Sequence, residues 1–240
     1  MAARSHFTIA CAAAAATHAC AAATSPAAII ETQSNAVADG SINTSGGNNV
    51  RSDWAGVPGY VADANEGSTV DWSQVHVAHD SANFFLRYVM NSSASGFLTF
   101  NQRAFIDTDQ ARTTGFTGGG DQLPIGADFM IEGASLYAFG GGSNQTAFTW
   151  SFVQGLSYDD FPTNDQEMTV PRSSLGNTGA FDFVLFASGT PEDYYPSTGN
   201  AGVAGGAFSY QVPEPAALAL AAVGGITMLR RRRRSLAPTM

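Results

Sequence analysis

Residues 74–90 read QVHVAHDSANFFLRYVM, and this stretch decides the fold class. Its first part, residues 74–78, alternates between polar and apolar side chains, which is the period of a half-buried strand. Residues 80–83 are turn formers, and the apolar return over residues 84–90 completes the pattern of a β-hairpin. The stretch therefore predicts antiparallel β-structure.

The same signals recur through the middle of the chain. Short apolar runs separated by Gly, Asp and Asn lie at residues 97–107, 128–132, 135–139, 147–153, 167–170, 181–187 and 207–212. Nothing sustains a helical 3.6-residue period apart from a turn at residues 173–175. Spaced strands without intervening helices predict an all-β domain over residues 50–211, a two-sheet antiparallel β-sandwich of jelly-roll or immunoglobulin-like type.

Charge is distributed very unevenly along the 240 residues. Residues 24–215 hold all 20 acidic side chains but only five arginines, which gives this part a net charge of −15, and the chain has no lysine. Such a surface repels nucleic acid and attracts divalent cations. A nucleic-acid partner is therefore excluded.

The first 23 residues have the composition of a signal peptide. Arg4 precedes an alanine-rich, weakly apolar run that ends in three alanines, residues 21–23. Both cysteines, Cys11 and Cys20, lie in this segment, so the mature protein is expected to have neither disulfides nor thiol chemistry. Residues 24–49 are rich in Ala, Ser, Thr, Asn and Gly, and we interpret them as a flexible leader.

The C-terminal end has three parts in order. The short polar motif Val212, Pro213, Glu214 and Pro215 leads into an apolar run, residues 216–229, and a cationic block follows. That block is Arg230, Arg231, Arg232, Arg233 and Arg234. The apolar run has 14 residues, a length typical of a core helix, but five adjacent guanidinium groups cannot be buried without partners. We therefore predict a transmembrane helix that stops at the arginines, with residues 235–240 in the cytoplasm.

Residues 212–234 resemble the PEP-CTERM sorting tail of exported bacterial proteins. The resemblance implies that the export machinery and then exosortase, a membrane protease, handle the chain. It also implies transient anchoring in the inner membrane, followed by delivery to the cell surface or extracellular matrix, often where exopolysaccharide is made.

The body carries a second resemblance. Its segments DWAGVP, VHVAHD, NFFLR, FIDTD, TGF and GADFMIEG begin at residues 53, 75, 83, 105, 114 and 126. Their order is similar to that in family 9 carbohydrate-binding modules and DOMON-like domains. The likeness implies a β-sandwich and a saccharide ligand, although the paired tryptophan clamp of the family 9 modules has no counterpart here.

Four aspartates form a candidate metal site. Asp107 and Asp109 flank Thr108 at the end of an apolar strand, and Asp121 and Asp128 follow in the same region. Carboxylates two residues apart in a loop can face one cation, and oxygen ligands suit calcium. We therefore predict Ca²⁺ here; the alternative is that the aspartates only cap turns.

Aromatic side chains are the candidate saccharide contacts, because an exposed ring can stack on a pyranose. Tyr194 and Tyr195 follow Asp193 in a predicted loop, and Trp72 precedes a strand, so these three are the candidate stacking residues. The alternative, which is favoured for any single ring, is that each packs in the core or against a loop. Trp150 alternates with Phe148 and Phe152, which places the three on one face, and we expect Trp150 to be core.

Catalytic motifs are absent from the sequence. It has no G-x-S-x-G, no H-E-x-x-H and no cysteine in the mature part, and we do not expect haem ligation by Met90 with His76 or His79. The sequence predicts a non-catalytic, exported, saccharide-binding or structural protein of the cell surface or matrix. A carbohydrate-active extracellular hydrolase remains the alternative, since 20 acidic residues offer many carboxylate pairs.

Overall fold

The computed structural model describes residues 29–36, 54, 56–63, 70–91, 102–119, 122–160, 165–188, 192–197 and 204–213. Within these ranges the chain forms twelve strands and one 3₁₀ turn, Arg172–Leu175. None of the described residues forms a helix that is long and apolar enough to cross a membrane. The predicted signal peptide (1–23), the apolar run (216–229), the arginine block (230–234) and residues 235–240 lie outside these ranges.

The smaller sheet is built on the predicted hairpin. Its four strands lie in the order β2 (Trp72–His79), β3 (Asn83–Met90), β9 (Asp165–Pro171) and β8 (Ser157–Asp160). All neighbours are antiparallel, and the hairpin is in register from His79 opposite Phe84 to Trp72 opposite Met90, with one bulge. The Asp80 carboxylate closes the turn by accepting hydrogen bonds from the backbone of Ala82 and Asn83. The predicted hairpin is thus confirmed.

The larger sheet has eight strands. Its order is β1 (Ile29–Gln33), β12 (Ala207–Gln211), β10 (Ala180–Ala187), β4 (Gln102–Asp107), β5 (Phe129–Glu132), β6 (Ser135–Phe139) and β7 (Trp150–Gly155), with β11 (Asp193–Tyr195) also paired to β10. For the part of the chain that the structure describes, the prediction of an all-β fold with two sheets is confirmed. The prediction that every pair is antiparallel is wrong, because β1 and β12 run parallel.

Strand β1 lies within the predicted flexible leader, residues 24–49, and contradicts that prediction for its own residues. Ile29–Gln33 was expected in a flexible segment because so few large apolar residues lie around it, yet it forms the edge of the large sheet. Hydrogen bonds to distant residues hold it there: Gln33 Nε2 donates to the Gly59 carbonyl at 3.0 Å, and the Asn35 N–H donates to the Tyr210 hydroxyl at 2.9 Å. Strands β8 and β11 were also missing from the sequence prediction.

The main core lies between the two sheets. It is largely aromatic, because the inward positions of both sheets carry rings: Trp72, Phe84, Tyr88, Phe181, Phe183, Phe208 and Tyr210. The rings meet edge to face or tilted, as for Phe84 and Phe181, whose centroids are 5.0 Å apart. These arrangements suit the quadrupoles of the rings and bury a large apolar area.

The large sheet is apolar on its other side as well. Along β4 and β10 the residues that alternate with the inner ones, Phe105, Val184 and Phe186, belong to a second cluster. The loop between β4 and β5 covers part of this side with Phe116 and other apolar residues. We call this side of the large sheet the outer face.

The back of the small sheet is also covered. Trp54 packs on Ala78 and Phe85, and its indole Nε1 donates to Glu167 Oε1 at 2.8 Å. His76 was expected in solvent because it alternates with core valines. Instead it is buried beneath this segment, with Nδ1 3.1 Å from the Val57 carbonyl.

His79 should make stability depend on pH. Its Nδ1 lies 2.8 Å from the Tyr210 hydroxyl, and burial followed by the charge of Arg172 lowers the pKa of His79 below its ordinary 6.5, although Asp80 opposes this. The unfolded chain therefore takes up a proton before the folded protein does, and the free energy of unfolding decreases as pH falls through about 6.5. Urea denaturation at pH 7.5 and 5.5 should show this decrease to be smaller in His79→Gln; an equal decrease in both proteins would contradict it.

Candidate functional site

Strand alternation places the charged and aromatic residues of strand β4 on the outer face of the large sheet. Arg103, Phe105 and Asp107 alternate along β4, and Phe105 belongs to the outer cluster. Each neighbouring strand pairs in register with β4, so Asp182 lies opposite Asp107 and Glu132 lies opposite Arg103. The outer face of the large sheet therefore carries Arg103, Phe105 and Asp107 on one surface.

A cavity of about 230 Å³ opens on the outer face. Its apolar wall includes Phe105, Phe116 and Phe148, and polar groups come from Arg103, Gln122, Thr146, Glu192 and Tyr194. The backbone of Gly118 and Gly119 forms another part of the wall. A few polar groups in an otherwise apolar concave site are typical of small-ligand binding.

Arg103 is held in a fixed position beside the cavity. Its Nε donates to Glu132 Oε1 at 2.7 Å, a charge-assisted hydrogen bond. Its guanidinium carbon lies 5.1 Å from the ring centroid of Phe148 and 5.5 Å from that of Phe186, within cation–π range of both. The ion pair and the two rings together restrict the rotamers of the long arginine side chain.

Next to the cavity, a row of aromatic side chains runs along the hairpin of β6 and β7. The row consists of Tyr137, Phe139, Phe148, Trp150 and Phe152, which we call the aromatic ridge. Phe148 and Phe152 are 54% and 64% exposed. Trp150, predicted to be core, is partly buried and packs against the second cluster on the outer face rather than in the main core.

The predicted stacking residues lie elsewhere. Trp72 is 0% exposed and Tyr195 is buried in the main core, so neither is the surface platform expected from sequence. Tyr194 and Tyr195 belong to strand β11 rather than a loop. Tyr194 does line the cavity; its hydroxyl lies 3.4 Å from Gln122 Oε1, and burial raises its pKa to about 12.

Three of the four predicted metal ligands come together. One carboxylate oxygen from each of Asp107, Asp109 and Asp128 lies within 4.8 Å of those of the other two. Asp128 Oδ2 accepts hydrogen bonds from the Thr108 backbone and hydroxyl at 2.9 and 2.7 Å. Asp121 lies outside the described residues. The cluster joins the end of β4 to the start of β5.

The surroundings of Asp107 oppose the ionised form of its carboxyl group. Burial raises the pKa of Asp107 to about 7, and the neighbouring Asp109 and Asp128 carboxylates act in the same direction. The Gly126 N–H, which donates to Asp107 Oδ2 at 3.2 Å, lowers it. Desolvation and the two neighbouring carboxylates therefore both oppose ionisation of Asp107.

The possible haem ligands are not brought together. Met90 faces the main core at one end of the β2–β3 hairpin, and His79 lies at the opposite end. His76 points to the other side of the small sheet, beside Trp54. These residues therefore do not assemble an axial ligand pair.

The sorting motif begins at the last residues that the structure describes. Val212 follows β12, packs against the main core and donates its N–H to the Gly179 carbonyl at 2.7 Å. Pro213 is the last residue described, and Glu214, Pro215 and the block Arg230–Arg234 lie beyond. The motif is thus attached directly to a strand of the large sheet.

Comparison with known proteins identifies the tail. Residues 211–234 match the family model of the PEP-CTERM protein-sorting motif. This motif indicates an exported protein that exosortase sorts to the cell envelope or surface. No curated protein and no solved structure matches the chain. The likeness of the body to family 9 carbohydrate-binding modules and DOMON-like domains is not confirmed by any match and stays a prediction.

Substitutions should distinguish the exposed ridge from the core. Phe152→Ala should change the free energy of unfolding by no more than about 0.5 kcal/mol, since its ring contributes little buried area. Phe183→Ala, at a fully buried position, should cost about 3–5 kcal/mol. Urea denaturation of the purified variants measures both; a loss of several kcal/mol for Phe152→Ala would contradict an exposed ridge.

Proposed function

We propose that this exported protein is a non-catalytic saccharide-binding protein of the cell surface or extracellular matrix. The observation that carries the proposal is the juxtaposition of exposed rings and a polar cavity on the outer face. Phe148 belongs to both features, because it lines the cavity and contacts Trp150 in the aromatic ridge with a centroid distance of 6.0 Å. A sugar ring can stack on the ridge while its hydroxyl groups reach the polar groups of the cavity.

The polar groups have the right character for hydroxyl recognition. Gln122, Thr146 and Tyr194 each offer donor and acceptor atoms, whereas Arg103 offers donors only and Glu192, when ionised, acceptors only. This mixed set suits a ligand with many hydroxyl groups. The cavity volume of about 230 Å³ suits one sugar unit, with neighbouring units lying along the ridge.

Rigidity also supports a binding role. Arg103 is already fixed by Glu132 and two rings, so little side-chain entropy is lost when it contacts a ligand. The ridge side chains are aromatic, with only two rotatable bonds each. Such a surface binds without first having to rearrange.

The carboxylates favour binding over hydrolysis. Glycoside hydrolysis uses two carboxyl groups on either side of the scissile bond. Among the described residues that line the cavity, Glu192 is the only acid, and the nearby Glu132 is engaged by Arg103. The hydrolase alternative thus has less support than the binding protein.

Export places this surface where saccharides are found. In the proposed sequence of events, the apolar run 216–229 anchors the chain in the inner membrane until exosortase acts. The body, residues 24–215, carries a net charge of −15, so anionic lipid does not attract it after release. Its ligand is then an exopolysaccharide or another surface glycan.

A glycan array tests the proposed function. The wild-type protein should bind at least one saccharide, and Phe148→Ala and Phe152→Ala should each weaken binding about tenfold, equivalent to about 1.4 kcal/mol, because the stacking surface is lost. Tyr158→Ala is the matched control, since Tyr158 is 41% exposed but lies on the small sheet, and it should bind as the wild type does.

Other outcomes of the same array would redirect the assignment. Release of shortened saccharides would indicate a hydrolase. Absence of both binding and cleavage would favour a purely structural matrix protein. If Tyr158→Ala weakened saccharide binding as much as Phe148→Ala and Phe152→Ala do, the binding site would not be on the outer face.

The sorting motif makes a separate prediction. Replacing Pro213, Glu214 and Pro215 with alanine should leave the chain unprocessed and membrane-bound, because the residues that exosortase recognises are gone. Immunoblots of membrane and surface fractions from the producing cell measure this. Pro238→Ala, beyond the arginine block, should be processed normally; normal processing of the triple variant would contradict the assignment of the motif.

A further inference from the structure

We infer that Asp107, Asp109 and Asp128 bind a calcium ion that fastens the two ends of the loop between β4 and β5. Asp107 is the last residue of β4, Asp109 begins the loop, and Asp128 directly precedes β5. The site is separate from the cavity, and its test does not require a known saccharide.

The spacing of the carboxylates fits one ion. Calcium–oxygen distances are about 2.3–2.6 Å, so two oxygens on opposite sides of an ion are about 4.6–5.2 Å apart. The three carboxylate oxygens lie within 4.8 Å of one another, a separation that does not exceed this span for any pair. Water and backbone carbonyls would supply the remaining ligands of the six to eight that calcium takes.

Asp107 gives an independent indication of a ligand. The residue is 1% exposed, and its Oδ1 is buried without a hydrogen-bond partner in the described structure. Its other oxygen, Oδ2, accepts from the Gly126 N–H. A buried acceptor without a partner is costly, and a cation bound by this cluster would satisfy it.

The hydrogen bonds around the cluster hold the other two carboxylates in place. Asp109 Oδ1 accepts from the Ala111 N–H at 2.9 Å, and Thr114 Oγ1 donates to Asp109 Oδ2 at 2.8 Å. Asp128 Oδ2 accepts from Thr108. Ligands that are oriented in this way lose less entropy on binding a metal.

The described part of the loop is tightly folded and contributes to the cavity. Gly115, at φ +67°, packs so closely on Gly126 that a Cβ would lie 2.4 Å from the Gly126 carbonyl oxygen. Phe116 and Ala127 form a two-sided backbone bridge. Residues of this loop, including Gly118 and Leu123, line the cavity. An ion that joins the two ends of the loop would therefore also stabilise one wall of the cavity.

Calcium is the cation that this site suits. All three ligands are hard oxygens, without the histidine or cysteine that zinc prefers. Asp109 is exposed, so water has access to the site, and calcium sites in extracellular modules of this kind bind with Kd values of about 10⁻⁴–10⁻³ M.

The test is calcium binding by the purified full-length chain after treatment with EDTA. Isothermal titration with CaCl₂ should give a Kd of about 10⁻⁴–10⁻³ M. Addition of 10 mM CaCl₂ should raise Tm by about 3–10 °C. Asp109→Asn and Asp128→Asn should each weaken binding at least tenfold and reduce the Tm shift, while circular dichroism stays that of the wild type. The exposed position of Asp109 makes its variant the safer one for folding.

Asp80→Asn is the matched control. Asp80 also closes a loop by accepting backbone hydrogen bonds, but it lies in the β2–β3 turn, and its variant should bind calcium as the wild type does. A Tm that neither EDTA nor calcium changes, with no titration heat, would overturn the inference. So would a loss of binding in Asp80→Asn equal to that in Asp128→Asn.

Discussion

The large sheet is apolar on both faces, and the small sheet covers only one of them. Four strands cannot also shield the opposite side of eight. The inner face buries its rings completely, as Phe183 and Phe208 show. Among the described residues, the loop between β4 and β5 covers the middle of the outer face and leaves Phe148 and Phe152 in the β6–β7 hairpin exposed. The cavity and the aromatic ridge lie at the edge of the region that this loop covers.

That arrangement connects the proposed activities of the molecule. The loop supplies the apolar cover of the outer face through Phe116, and it also supplies part of the cavity wall. The aspartates at its two ends concentrate negative charge where one strand leaves the sheet and the next enters it. A ligand-binding surface and a candidate ion site therefore share one structural element, and the net charge of the body favours a cation over an anion at that position.

Local sequence patterns predicted much of the fold. The hairpin of β2 and β3 was evident from alternation and turn residues and is confirmed, and the apolar runs at residues 128–132 and 135–139 contain strands β5 and β6. Strand β1 was missed because its own residues are mostly exposed and its support comes from Tyr210 and Gly59, far along the chain. The three aspartates were predicted because they are close in sequence or lie at strand ends, which are positions that a sheet brings together.

The sequence by itself determined that the protein is exported to the cell envelope or surface, because the sorting motif is one contiguous stretch, residues 211–234, and is identified without reference to the tertiary fold. It also determined that Phe148, Trp150 and Phe152 share a face, since alternation in a strand is a local property. Only the tertiary structure decided that this face is exposed and that Trp72 and Tyr195 are buried. Alternation gives two equivalent faces, and the position of the second sheet, set by contacts between distant strands, selects which of them becomes core.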